Sequence, residues 1–234
     1  MRFVGIIPAR YNSSRFPGKP LVQLPDGKTM IQHVYEQATK VIAEVWVATD
    51  DERILAEVEG FGGRAMMTSK ECCNGTQRCA ELARQFYDLN DHDIVVNIQG
   101  DQPLINPEYI RQLVRFMMIN PASIGTLVCG NMTDEDAADP NCVKAYVDSY
   151  GRAARFDRVY EDCSLAAFKH IGVYAYRWDI LRTLATLEYS DSGGSLEQNS
   201  WLEHYRIHCV AVFGDVISVD VPEDLVKVEQ IQKK

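Results

Sequence analysis

The chain has 234 residues, 46% of them apolar, enough for a sizeable core and too many for bulk disorder. Lys and Arg number 24 against 33 Asp and Glu, a formal net charge of −9. So acidic a surface is a poor nonspecific partner for nucleic acid or anionic membrane, and any local basic cluster stands out against it.

In chain order, residues 2–7 (RFVGII) form a short apolar run that predicts a buried strand. Residues 30–41 place Met30, Ile31, Val34, Tyr35, Ala38 and Val41 on one helical stripe. A second strand is expected over 44–50, and a helix opened by acids and stopped by Gly62-Gly63 over 51–62. There follow a short strand at 64–68, a helix over 75–89, a strand over 93–99 with the turn GDQP, and a helix over 107–118 with Pro107 in its first turn. Strand–helix alternation repeated four times predicts a parallel sheet covered by helices on both faces, with ligands beyond the carboxyl ends of the strands. The second half changes character. Strands are expected in 123–129, 141–158, 169–177 and 206–213, with a hairpin turning at Gly151. Helices are expected over 178–188, 195–205 and 221–232, and a flexible loop over 189–195.

No charged-then-apolar leader opens the chain and no apolar run is long enough to cross a bilayer, so a cytoplasmic protein without membrane insertion is expected. The seven cysteines contain no C-x-x-C and are expected as free thiols. Cys72, Cys73 and Cys79 are not read as a metal centre, because adjacent cysteines chelate awkwardly and no paired histidine spacing follows.

The stretch IIPARYNSSRFPGKP, residues 6–20, carries Arg10, Arg15 and Lys19 directly after the first strand. Three cations with Gly18 and the Ser13 and Ser14 hydroxyls at the end of a sheet strand suit phosphate oxygens. Lys19 is followed by Pro20, which excludes a Walker A loop, and Gly18 is the only glycine in the turn, against a dinucleotide fingerprint. The turn has no carboxylate and therefore cannot hold magnesium itself. Asp101, after a predicted buried strand, is at the expected ligand edge. Asp220, before Pro222, reads on local sequence equally well as a helix cap.

IIPARYNSSRFPGKPL resembles the N-terminal signature of the sugar-acid cytidylyltransferases, in particular the CMP-Kdo synthetase family (Kdo is 3-deoxy-manno-octulosonate). MIQHVYEQA, VWVATDDERI, GGRAMMTS, NGTQR, VVNIQGDQPLI, FKHIGVYAYR, SLEQ and VDVPEDL extend the resemblance, in order, over nearly the whole chain. It implies an α/β, Rossmann-like nucleotide-diphospho-sugar transferase (GT-A-like) fold, with a mostly parallel sheet flanked by helices and a smaller mixed-strand lobe for dimerisation and sugar binding. The whole chain, 1–234, is then one nucleotidyltransferase domain, with a nucleotide-binding half at about 1–125 and a sugar-binding and dimerisation half at about 126–234. The implied reaction joins CTP to a 2-keto-3-deoxy sugar acid, Kdo, its 8-amino form or a related acid, and releases pyrophosphate.

By the same resemblance, Arg10, Lys19 and Asp101 carry catalysis. Pro8, Ala9, Arg10, Ser13, Arg15, Lys19, Gln99 and Asp101 bind nucleotide, together with Asn74, Gly75, Thr76 and Arg78 at the start of a helix. Asp101 and Asp220 hold Mg2+. Gln99, Arg158, His170, Tyr174, Glu197 and Gln198 meet the sugar acid. A homodimer is implied through the second lobe, where Tyr146, Val147, Phe156, Val173 and Tyr176 are read as either interface or core. The chain departs from the family pattern in four places: Asn74 replaces a serine, Gln77 an acid and Ser200 an arginine, and the segment after Arg158 is shorter and lacks a proline. A glycosyltransferase of the same fold lacks support, because neither Asp101 nor Asp220 lies in a D-x-D pattern; a nucleotide-binding homologue without turnover is the other alternative.

Overall fold

The computed structural model describes residues 1–13, 15–86, 88–187, 196–214 and 216–232. Ser14 and the expected loop at 189–195 lie outside these residues.

The predicted alternation forms β1 (Phe3–Ala9), α1 (Met30–Thr39), β2 (Val45–Thr49), α2 (Glu52–Gly60), β3 (Ala65–Met67), α3 (Gly75–Ala83), β4 (Ile94–Asn97) and α4 (Pro107–Ile119). The second half adds β5 (Ile124–Cys129), α5 (Asp134–Ala138), β6 (Lys144–Val147), β7 (Ala153–Asp157), β8 (Ala166–Arg177), α6 (Trp178–Leu184), α7 (Glu197–Leu202), β9 (Ile207–Val212) and α8 (Leu225–Gln232). The sheet runs β3-β2-β1-β4-β8-β5-β9. β8 is antiparallel to its neighbours β4 and β5, while the other neighbouring pairs are parallel. At 12 residues, β8 is long enough to take a further partner in the same sheet: its first residues pair with β6, which pairs in turn with β7.

The central strands β1 and β4 are buried nearly throughout, as expected for a sheet covered on both faces. One face packs under α1, α2 and α4 through Ile7, Ile31, Val34, Ile54, Ile110 and Leu113. The other packs under α3, α6 and α7 through Ile6, Leu82, Val95, Tyr176, Leu181 and Trp201. A smaller cluster of Leu24, Met30, Val219 and Val228, with Phe16 against it, ties the first turn to the C-terminal segment.

Two details differ from the sequence expectation, and a third decides between two readings it left open. The helix expected over 75–89 stops at Ala83, where Gln85 and Phe86 donate to carbonyls three residues back and Phe86 packs on Trp46, ring centroids 5.5 Å apart. Helix α5 is an unpredicted turn held by a Thr133/Asp136 capping box. Tyr146, Val147, Phe156, Val173 and Tyr176 are all buried within the chain itself, so they are core and cannot face a partner.

Candidate active site

The end of the turn after β1 is fixed at Gly18. Gly18 adopts φ 73° and its N–H donates to the Tyr11 carbonyl at 2.9 Å. The Tyr11 ring lies 3.2 Å from where a Cβ on Gly18 would stand, so both backbone and space call for glycine. Pro20 then sets a single 3-10 turn over Lys19–Leu21. Lys19, thus anchored, extends its Nζ to Asp101 Oδ2 at 2.9 Å and to the Val219 carbonyl at 2.8 Å. Arg15 reaches Asp220 Oδ1 at 2.8 Å. Arg10 is exposed and has no ion-pair partner among the described residues.

Asp101 sits in the turn after β4, where the chain crosses close over β1. A Cβ on Gly100 would stand 3.2 Å from the Pro8 carbonyl oxygen. The Val219 N–H donates to the Asp101 carbonyl at 2.9 Å, which brings the segment carrying Asp220 alongside. Asp220 is not the helix cap that its local sequence allows: Asp224 accepts from the Asp220 and Val221 N–H groups at 2.9 and 3.1 Å, leaving the Asp220 carboxylate turned to Arg15.

The third wall is the start of α3. Asn74 Oδ1 accepts from the Gln77 N–H at 2.8 Å, and Gln77 Oε1 accepts from the Cys73 N–H at 2.9 Å. The two departures at Asn74 and Gln77 therefore rebuild a capping arrangement between them. Gly75 packs against Pro8, leaving only 3.2 Å for a Cβ. Arg78 is buried and its guanidinium is committed to Asp50 at 2.8 Å, Thr68 at 2.7 Å and the Ser69 carbonyl at 3.3 Å.

These walls enclose a cleft of about 350 Å³. From the first turn it is lined by Pro8, Ala9, Arg10, Ser13, Arg15 and Lys19, and from the facing walls by Asn74, Gly75, Arg78, Gln99, Asp101 and Asp220. Thr76 lies behind the wall, buried, and donates to Glu197 Oε1 at 2.9 Å. Gly100, Pro20, Cys72 and Cys73 also line the cleft and were missed from sequence. Adjacency in sequence to predicted site residues is the signal that could have found them: Gly100 lies between Gln99 and Asp101, Pro20 follows Lys19, and Cys72 and Cys73 precede Asn74. The three clustered cysteines part: Cys79 is buried in the core, Cys72 donates to Glu81 at 2.9 Å, and Cys73 is exposed. Burial and the adjacent Glu81 carboxylate push the Cys72 thiol up to about 12, so it stays protonated. A smaller cavity of about 170 Å³ shares Arg10, Cys72 and Arg78 and adds Asp50, Asp51 and Lys70.

The residues expected on the sugar side lie off this cleft, apart from Gln99. Gln99 links the two regions, because Gly172 on β8 leaves it room, with only 3.2 Å between a Cβ there and Gln99 Cγ. The pairing of β5 with β8 shifts register at Thr126/Leu127, beside Gly172, and Thr126 Oγ1 fills the irregularity by donating to the Val173 carbonyl at 2.9 Å. The His170 ring shares a hydrogen bond with Thr126 Oγ1 at 3.0 Å and packs between Phe156 and Tyr174. Part of His170 reaches the surface, yet this packing desolvates the ring and lowers its pKa to about 3, so it is neutral at pH 7. Tyr174 stacks on Tyr176, and Trp201 meets both edge-on. The two tyrosine hydroxyls lie near Thr126 and Thr76 but complete no hydrogen bond. Desolvation raises Glu197 to about 7, against which its bond from Thr76 works. Gln198 is buried beside it. Arg158 stands apart on the β6–β7 ribbon, exposed, and donates to the Pro140 carbonyl at 3.2 Å. Ser200, where the family pattern has arginine, donates back to the Glu197 carbonyl at 2.7 Å.

Cations facing paired carboxylates at the carboxyl edge of a parallel sheet can hold a polyphosphate and, with it, a divalent cation. A family model described as cytidylyltransferase matches residues 4–207. A 3-deoxy-manno-octulosonate cytidylyltransferase of Myxococcus xanthus (strain DK1622) is 43% identical, over 99% of this chain and 97% of the relative. An 8-amino-3,8-dideoxy-manno-octulosonate cytidylyltransferase of Shewanella sp. (strain W3-18-1) is 42% identical, over 98% of each. The solved structure of a CMP:2-keto-3-deoxy-manno-octonic acid synthetase complexed with CTP superimposes with a TM-score of 0.88 at 38% identity, over 100% of this chain and 99% of the other. Since the family match takes in every wall of the cleft except the segment bearing Asp220, and the relatives extend it over that segment too, this chain belongs to the cytidylyltransferase family.

Proposed function

We propose that the enzyme couples CTP to a Kdo-type sugar acid, Kdo or its 8-amino form, giving the CMP-sugar and pyrophosphate for lipopolysaccharide or capsule synthesis in the cytoplasm. The observation that carries this reading is the cleft in which Arg10, Arg15 and Lys19 face Asp101 and Asp220. The anomeric hydroxyl attacks the α-phosphorus of CTP, and the bond to the β-phosphate oxygen breaks. Such chemistry depends on positioning and charge neutralisation. Arg10, Arg15 and Lys19 bind the triphosphate and offset the negative charge that gathers on departing pyrophosphate. The N-terminus of α3, with Gly75 packed on Pro8, presents backbone N–H groups to the nucleotide. Arg78, fixed by Asp50, gives that wall its shape.

The donor set fits magnesium: two carboxylates on adjoining segments, with room for phosphate oxygens and water. Asp101 and Asp220 would hold the ion, which supplies further charge neutralisation at the phosphates. Gln99, next to Gly172, orients the sugar between this cleft and the His170, Tyr174, Glu197 and Gln198 group. His170 stays neutral and serves the sugar hydroxyls as a hydrogen-bonding partner, not as a cation for the carboxylate. That cation is Arg158. A homodimer through the β6–β7 ribbon accompanies this function. The relatives are equally near on both sugars, so the sugar is settled by a pyrophosphate-release screen of CTP, UTP, ATP and GTP against Kdo, 8-amino-Kdo and sialic acid. Release with CTP and either octulosonate is expected; none with any acid overturns the reading.

A further inference from the structure

The two carboxylates assigned to magnesium are each already neutralised by a cation from the first turn. Arg15 holds Asp220 at 2.8 Å, and Lys19 holds Asp101 at 2.9 Å. Lys19 pairs with no second carboxylate among the described residues: its other hydrogen bond is donated to the Val219 carbonyl at 2.8 Å, in the residue before Asp220. Side chains from one turn thus reach across the cleft and bind both sides of the prospective metal site. The same two cations are the groups that a triphosphate would attract. We infer that this pair of ion pairs is an exchange latch: Arg15 and Lys19 stand in for the divalent cation until triphosphate draws them away, so the enzyme without nucleotide has only a weak metal site. The inference rests on the assignment of Asp101 and Asp220 as metal ligands.

The physical reason is competition for the same charge. A carboxylate paired at 2.8 Å offers a metal ion little uncompensated charge, and a cation so close adds direct repulsion. Triphosphate provides both cations with oxygens of higher charge density, and its arrival exposes the two carboxylates just where phosphate oxygens complete the metal's coordination. The effects are reciprocal, since a metal that displaces Arg15 and Lys19 leaves them free for phosphate. Exposure divides the work between the two pairs. Arg15 is 55% exposed and can swing, whereas Lys19 is 14% exposed and is held by the 3-10 turn and Val219. Arg15 is therefore the mobile half.

Arg10 provides the control. It lines the same cleft with the same charge but has no carboxylate partner among the described residues. Removing either arginine subtracts one positive charge from the cleft, and only Arg15→Gln also opens an ion pair. The test is Mn2+ binding to nucleotide-free protein, read from the electron paramagnetic resonance signal of free Mn2+, with circular dichroism to establish folding. Arg15→Gln should bind Mn2+ about tenfold or more tightly than the unsubstituted protein, within the usual range of site–site coupling. Arg10→Gln should change it by much less, and Arg15→Gln/Asp220→Asn should lose the gain. Equal effects of the two arginine substitutions would reduce the latch to general electrostatics and overturn it. So would tight Mn2+ binding by the unsubstituted protein without nucleotide. Failure of the metal assignment itself is read separately, with CTP present: Mn2+ bound to the protein–CTP complex as tightly in Asp101→Asn and Asp220→Asn as in the unsubstituted protein.

Discussion

Asp101 lies in a turn, its carboxylate directed at Lys19 instead of into the core, so replacing it should cost chemistry and not the fold. Asp101→Asn should lower turnover by on the order of a hundredfold or more, the scale seen when one preorganised charge partner is removed. Pyrophosphate release and a thermal melt together check this; near-normal turnover would remove Asp101 from the metal site. Glu197 allows a sharper test through pH. Its folded pKa, about 7, lies above the ordinary 4.5, so between those values the folded state holds a proton that the unfolded chain releases. Stability from this group is fully present below 4.5 and is lost as pH rises to about 7. His170 acts oppositely: with its pKa lowered from 6.5 to about 3, it costs stability as pH falls through that window. The two slopes oppose each other in the overlap, so single variants separate them. Glu197→Gln keeps an acceptor for Thr76, and its melting temperature should gain on the unsubstituted protein as pH rises from about 5 to about 8. A constant difference across that range would show that Glu197 is an ordinary carboxylate. The cationic turn was legible in sequence because three like charges in an acidic chain need a reason. The Thr76–Glu197 bond was not, because each partner reads locally as part of a helix start and only packing joins them.

At the scale of elements, the cleft depends on how closely two strand-end turns approach Pro8. Gly75 and Gly100 both come within contact of that proline, and neither has a positive φ, so proximity and not backbone conformation calls for glycine there. Gly100→Ala would bring a methyl 3.2 Å from the Pro8 carbonyl, which the rigid β1 end cannot easily yield. The expected cost is about 1–3 kcal/mol in stability, as for other overpacked sites, together with a raised KM for CTP as Asp101 shifts. Urea unfolding and initial rates would measure both; an unchanged KM would mean that the turn relaxes without moving Asp101. Strand–helix periodicity reveals such elements well but not their ends or their approach to one another. The helix expected to run to residue 89 ends at Ala83, and beyond it Phe86 packs on Trp46, a partner on strand β2. Asp220 illustrates the same limit: a residue before a proline and a helix reads as a cap until Asp224 is seen to take that duty.

For the whole molecule, alternation implied the four-stranded parallel half, but not that β8 would enter the same sheet antiparallel between β4 and β5. Strand order is a tertiary property, and the nine residues first read as this strand say nothing about two sets of neighbours. The consequence concerns assembly. By extending beyond its pairing with β4, β8 also pairs with β6 and so carries the β6–β7 ribbon, whose residues Tyr146 and Phe156 are buried. The apolar side chains left outside are Tyr150, Val159 and Tyr160, at 77%, 65% and 41% exposure. An acidic, charged surface has little reason to leave three such groups on one ribbon unless a second copy covers them. The unsubstituted enzyme should therefore sediment at twice the chain's mass, and Val159→Asp should sediment as a monomer at micromolar concentration, because burying an unpaired carboxylate in the interface is costly. Val159 is outside the core, so the monomer should keep its circular dichroism spectrum. Another apolar group, Phe213, Met118 and Ile119, is also exposed. If Val159→Asp remains dimeric while Phe213→Asp dissociates, the dimer forms through the far end of the sheet, and the ribbon is not its interface.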